Sequence, residues 1–117
     1  MLGENQTVAV LSKMMELSTS RQKVIASNLA NATTPGYVRQ ELDFASELRK
    51  VIIDEDLKGL KKLDGTVVSD ETNTPRNDGN NVRISEEMNE MSQNGILFSL
   101  MQKALKTKVG IIKSAIR

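Results

Sequence analysis

The chain contains no cysteine, no histidine and no tryptophan. Without cysteine there is neither a disulfide framework nor a thiolate metal site. Without histidine the commonest general base and the commonest metal ligand are both missing. Any catalysis would fall to a constellation of carboxylates or lysines. Aromatic residues are scarce too, with one tyrosine and two phenylalanines among 117 residues. The core must therefore be built from aliphatic side chains and methionine, without the large rings that dominate packing energetics elsewhere. Met1–Asn5 shows no basic segment leading into an apolar run, and no run of about 20 apolar residues occurs. Neither a cleavable signal peptide nor a membrane span is expected.

What remains is a small, polar, aliphatic chain of 12.9 kDa with a mean hydropathy of −0.34. One domain at most fits this length. Net charge is only +1, but it is unevenly spread. Residues 1–39 carry four basic and two acidic groups, residues 40–100 seven and thirteen, and residues 101–117 five and none. A basic end next to an acidic middle can serve an anionic surface, or the acidic middle of the same or an adjacent subunit.

Two segments carry helical periodicity. In the first, roughly Asn5 to Asn31, a heptad series runs Val8, Leu11, Met15, Ser18, Gln22, Ile25, Leu29, Ala32. Ser18 and Gln22 are its polar exceptions, while Val10, Met14, Leu17 and Val24 widen the stripe. In the second, Ile84, Met91, Phe98, Leu105 and Ile112 stand seven apart. Met101 and Ala115 take the alternate positions, Lys108 interrupts them, and Val109, Ile111 and Ile116 broaden the stripe. Ser85 is a candidate N-cap that would place Glu86 and Glu87 in the first turn, at the favourable end of the helix dipole. Lys113 and Arg117 suit the opposite pole. Asn94-Gly95 is a weak point of this helix.

The stretch between is of another kind. Residues 33–43 read as extended, with Val38, Leu42 and Phe44 as its apolar positions. A short helix is expected from Phe44 to about Leu63, with Leu48, Val51 and Ile52 on one side. Residues 64–81 are rich in Asp, Asn, Thr and Gly and read as a loop, with a weak hairpin pairing Thr66–Val68 with Val82–Ile84. The expected fold is mainly α. Long N- and C-terminal amphipathic helices (1–32 and 82–117) pair as a helical hairpin or coiled coil, joined by an extended and irregular middle segment (33–81), one domain in all.

The most specific stretch is Ser27-Asn28-Leu29-Ala30-Asn31-Ala32-Thr33-Thr34-Pro35-Gly36-Tyr37. Pro35 lacks an N–H and pushes Thr34 toward extended angles, so the first helix must end before it. Pro-Gly suits a type II turn with Gly36 at positive φ. Asn28 and Asn31 sit in the last helical turn, where short amides can bond orphan carbonyls or the returning chain. Tyr37 is the first bulky anchor after the turn. Taken alone, the stretch also reads as an ordinary helix end followed by a loop.

Other readings carry less. Asp54-Glu55-Asp56 and Glu86-Glu87 are carboxylate clusters of the kind that usually form solvated faces or caps. Asp78-Gly79-Asn80-Asn81 lacks the alternating ligand spacing and closing glutamate of a calcium loop. No phosphate-cradling loop and no nucleophile–base pair is visible, so no cofactor, metal or catalytic residue is expected. Lys103, Lys106, Lys108, Lys113 and Arg117 could make the last helix a basic amphipathic module on an anionic membrane surface. The simpler reading is the solvated face of an assembly helix. Aromatics for stacking on nucleic acid are lacking.

The block from Ser27 to Tyr37 resembles the N-terminal signature of the flagellar rod, hook and hook-associated proteins. Its continuation Arg39-Gln40-Glu41-Leu42-Asp43-Phe44 is similar to the proximal-rod branch of that family. Asp78-Gly79-Asn80-Asn81-Val82, with Glu87-Met88 and Asn94 following, resembles its C-terminal block. The likeness covers residues 8–48 and 78–117. It implies a non-enzymatic structural subunit of the basal-body proximal rod, exported through the flagellar type III apparatus without a cleaved signal. The implied partners are further copies, other rod subunits, and export-gate or ring-adapter proteins, with neither nucleic acid nor membrane insertion involved. The terminal helices would pack with neighbours into a helical tube. On that reading Val8, Leu11, Met15, Ile25 and Leu29 meet Phe98, Met101, Leu105 and Ile112, either within one chain or between subunits. About 1.5–3 kcal/mol per buried aliphatic residue against about 1–2 kcal/mol per ordered residue leaves such a chain marginal until neighbours add burial.

Overall fold

The structure is a computed structural model that describes residues 3–116. Arg117, expected at the negative pole of the last helix, lies outside the described residues. The chain is mainly helical. Helix α1 spans Glu4–Ala30, strand β1 Gln40–Asp43, helix α2 Ala45–Ile53, helix α3 Leu57–Lys62, strand β2 Thr66–Ser69 and helix α4 Ile84–Ile116. The two long helices run antiparallel along one another, and the molecule measures 62 × 26 × 16 Å. Its radius of gyration of 17.4 Å exceeds the roughly 13 Å of a compact chain of this length, because α4 alone is about 50 Å long at about 1.5 Å per residue.

Register along the pair is set by polar residues. Asn94 Nδ2 donates to the Ser18 carbonyl at 2.8 Å and to Gln22 Oε1 at 2.7 Å, and Ser18 Oγ donates to Asn94 Oδ1 at 2.8 Å. The two polar exceptions in the first heptad series thus face the Asn of the suspected weak point. Helix α4 runs unbroken through Asn94-Gly95 because that amide is bonded across the seam rather than competing for its own backbone. Counting from this layer puts Met15 level with Phe98, Leu11 with Met101 and Val8 with Leu105. Ile112 falls beyond the level of Glu4.

The apolar cluster of fully buried residues lies on another face of α1. Leu17, Leu48, Leu60 and Leu63 form it, with Val10, Met14, Phe44, Val51 and Ile52 packed around them. The apolar heptad residues of the seam with α4 are half-buried by comparison, Ile25 excepted. Lys13 helps to hold this second layer. Its side chain is buried, and its Nζ donates to the carbonyls of Lys61 at 3.1 Å and Leu63 at 3.0 Å, at the negative end of α3.

Three expectations are corrected. The single helix from Phe44 to Leu63 is two, because Glu55 takes a φ of 51° and closes α2. There Asp56 N–H donates to the Val51 carbonyl and Glu55 N–H to that of Ile52, a Schellman ending. Asp56 then caps α3 by accepting from Gly59 N–H at 2.9 Å. Thr66–Ser69 pairs antiparallel with Gln40–Asp43, Glu41 opposite Val68 and Leu42 opposite Val67, and not with Val82–Ile84. Val82 is unavailable because its N–H donates to Asn80 Oδ1 and its carbonyl accepts from Arg76. Finally, Ser85 lies inside α4 rather than capping it, since Glu87 N–H already donates to the Arg83 carbonyl.

Candidate functional site

The end of α1 and the start of α4 meet in a buried polar junction. Asn28 is at its centre and is fully buried. Its Nδ2 donates to the Gln40 carbonyl at 2.9 Å and to Glu87 Oε2 at 3.1 Å, and its Oδ1 accepts from Tyr37 Oη at 3.0 Å and Gln40 N–H at 2.9 Å. Both donors and both acceptor sites of the amide are filled. Asn31 Nδ2 donates back to the Ser27 carbonyl and its Oδ1 accepts from Thr34 Oγ1, tying off the last turn. Thr34, Pro35, Gly36 and Tyr37 follow as a turn in which Tyr37 N–H donates to the Thr34 carbonyl and Gly36 takes a φ of 75°. This is type II geometry.

The second block closes over the first. Asn80, fully buried, donates from Nδ2 to the carbonyls of Asn31 at 2.8 Å and Thr34 at 2.9 Å. Asn81 Oδ1 accepts from Arg39 N–H at 2.6 Å, and its own N–H donates to the Tyr37 carbonyl. Arg76 donates to the carbonyls of Val82 and Ala32. Gly36 N–H donates to the Asp78 carbonyl at 2.7 Å, and Gly79, at a φ of 83°, crosses so closely that a Cβ there would stand 3.2 Å from Gly36 Cα. The Asp78–Asn81 loop is thus a brace for the turn. Among the described residues no carboxylate group is arranged to hold a metal ion.

Arg39 is the electrostatic centre. It is buried and donates from Nε to Glu87 Oε1 at 2.6 Å, from NH1 to Glu41 at 2.8 Å and to Asp70, and from NH2 to Glu90 at 3.2 Å. Burial opposes its charge, but the bonds to Glu87 and Glu41 hold its pKa above the ordinary value. Asp70 is held below its ordinary value by hydrogen bonds from Thr72, with Arg39 assisting. Burial pushes Glu90 up despite Arg39. Glu87 lies in the first turn of α4 as expected, but at 1% exposed it is an interior ion-pair partner and not part of a solvated face. Sequence reasoning missed Arg39, Arg76 and Glu87 as partners of the Asn pair. Their only trace was position, inside or beside the two blocks.

Of the apolar residues singled out, Val8, Leu11, Met15, Leu29, Phe98, Met101, Leu105 and Ile112 are half-buried and Ile25 is buried. The outward face of α4 carries a second series, Leu97, Leu100, Ala104 and Ile111, that stays exposed. Beside Leu97 a groove of about 240 Å³ opens between α1, β1 and α4, lined by Val24, Leu42, Glu41 and Glu90 among others.

The sequence model of the family described as "Flagella basal body rod protein" matches residues 15–37, the stretch that ends α1 and makes the turn. The flagellar basal body rod protein FlgB of Borreliella burgdorferi is 33% identical, with 76% of this chain and 79% of the relative covered. The chain belongs to the FlgB family of flagellar basal body rod proteins. FlgB of Borrelia hermsii is 32% identical over 80% of this chain and 83% of its own length. FlgB of Escherichia coli is 28% identical over 81% of each. The matched stretch supplies Asn28, Asn31 and the Thr34–Tyr37 turn of the polar junction.

Proposed function

We propose that this chain is a non-catalytic structural subunit of the flagellar basal-body rod, built into a helical tube through its terminal helices together with further copies and other rod subunits. Its place is the proximal rod, next to export-gate and ring-adapter proteins, and it reaches that place through the flagellar export apparatus without a cleaved signal. The observation that carries this reading is the split character of α4. One face is committed to α1 in the same chain, and the face bearing Leu97, Leu100, Ala104 and Ile111 is left without cover. An apolar series at helical spacing on an elongated subunit is the surface that a polymer buries. Family membership supplies the assembly in which that happens. No helix among the described residues is long and apolar enough to cross a membrane. The seam residues Val8, Leu11, Met15, Ile25, Leu29, Phe98, Met101 and Leu105 pack the two helices together in the register that the Ser18–Asn94 layer sets, and Ile112 continues their series beyond α1. They contribute to the tube by holding the outward face in place.

Deleting the gene tests the reading. The expected result is loss of motility and of rods in isolated basal bodies, both restored by the wild-type gene on a plasmid. Normal rods in the deletion strain would overturn it.

A further inference from the structure

Helix α4 is charged in two halves. Residues 84–98 hold three carboxylates and no basic group, and residues 99–116 hold four lysines and no acid. The basic half also outruns α1. By the register of the Ser18–Asn94 layer, Lys108 stands level with Glu4, so about two turns of α4 project past the described start of its partner. That tip presents Lys113 and Ile116 three residues apart on one flank, with Ile116 80% exposed. Lys106 lies one heptad before Lys113. Among the described residues Lys106 and Lys113 pair with no carboxylate.

The complementary surface is the groove beside Arg39. Four carboxylates, Glu41, Asp70, Glu87 and Glu90, converge on one guanidinium. The other cation lining the groove, Arg21, lies over the Phe44 ring at 4.6 Å. Two cations face four carboxylates. Glu41 and Glu90 are the exposed pair, with side chains 48% and 43% accessible, and burial that raises Glu90 marks it as undercompensated. Beneath these acids Val24, Leu42 and Leu97 line the groove. An arriving side chain with an ammonium and an apolar neighbour satisfies both features.

We infer that the Lys113–Ile116 tip of α4 docks into the groove between α1, β1 and α4 of a second copy of this chain, Lys113 against Glu90 and Glu41 and Ile116 against Leu97 and Leu42. Tip and groove lie far apart on the same molecule, so the contact is head-to-tail and propagates instead of closing a pair. It deepens the rod-subunit reading and rests on it for the setting in which copies meet.

Charge reversal tests the contact in the full chain, by sedimentation at low salt and high protein concentration. Lys113→Glu and Glu90→Lys are each expected to weaken self-association by about tenfold, and the double variant to recover most of that loss. Mixing the two single variants is expected to restore growth in alternating order, since the native tip of one meets the native groove of the other and the reversed tip meets the reversed groove. A double variant no better than the singles, a mixture no better than either single variant, or a wild-type chain that stays monomeric overturns the proposal. Because the chain has no cysteine, Leu97→Cys/Ile116→Cys gives an independent measurement. The two positions are about 28 Å apart along one helix, too far for a bond within the chain. Oxidation of assembled material is expected to give a ladder of disulfide-linked multimers that neither single variant gives. If the ladder forms while a deletion strain keeps its rods, the contact stands and the rod reading falls. If rods are lost but no ladder forms, the contact falls alone.

Discussion

The two ends of the α1–α4 pair are built differently. At the end holding the Thr34–Tyr37 turn, Asn28, Asn80, Asn81 and Arg39 are buried and bonded on every side. Toward the tip, the residues of α4 that face α1 past Asn94 are the half-buried Phe98, Met101 and Leu105. Directional bonds fix one geometry and fail at once if a partner is lost. Half-buried apolar contacts fix little and accept a neighbour readily. A subunit that must keep one turn rigid and offer the rest of its length to other subunits divides the labour in this way.

The largest expected effect is at the rigid end. Arg39→Met leaves Glu87 buried with only Asn28 to bond, and it is expected to cost about 3–5 kcal/mol in urea unfolding. Arg39→Met with Glu87→Gln is expected to recover a large part of that, since the uncompensated charge is gone while the Asn28 bond survives. No recovery would place the loss in packing rather than charge. Next comes Gly36→Val, which forces a β-branched residue to a φ of 75° and is expected to cost about 1–3 kcal/mol. A variant as stable as wild type would show that the turn tolerates another geometry.

The same junction gives a pH signature. Asp70 is held below its ordinary 3.8, first by Thr72 and then by Arg39. Its contribution is therefore complete above that value and is lost as pH falls through the lower folded value. Asp70→Asn is expected to be less stable than wild type at pH 6, by on the order of 1 kcal/mol, with the gap closing in strong acid. A gap that stays constant down to pH 2 would exclude the ionised form as its source.

Much of the architecture was readable in the residues. Both helices, their amphipathic stripes and the turn at Thr34-Pro35-Gly36-Tyr37 follow from local rules, because heptad spacing and Pro-Gly act over a few residues. What was not readable is long-range. Ser18, Gln22 and Asn94 each looked like a defect in its own helix. Only the fold, which joins residues 76 positions apart, makes them one polar layer. Glu87 looked like a solvated acid, and Arg39 like no more than one letter of a sequence block, for the same reason. The strand pairing was misjudged because Val82 looked free until Asn80 and Arg76 were seen to claim its backbone. The neighbouring Asp54-Glu55-Asp56 break was hidden because nothing in an acidic tripeptide announces a residue at positive φ.

The smallest stability effect tests the comparison most sharply. Leu105 and Leu100 are five residues apart on α4, Leu105 turned to α1 and half-buried, Leu100 turned outward and 59% exposed. Leu105→Glu is expected to cost about 1–3 kcal/mol, because a charge enters the seam. Leu100→Glu is expected to change stability by no more than about 0.5 kcal/mol. Both are nevertheless expected to abolish rods in complemented deletion strains, Leu105→Glu by loosening the hairpin and Leu100→Glu by spoiling the surface a neighbour covers. Unfolding curves and basal-body counts on the two variants separate those routes. A Leu100→Glu strain with normal rods and motility would mean that the outward face is ordinary solvated surface and that the tube is held elsewhere.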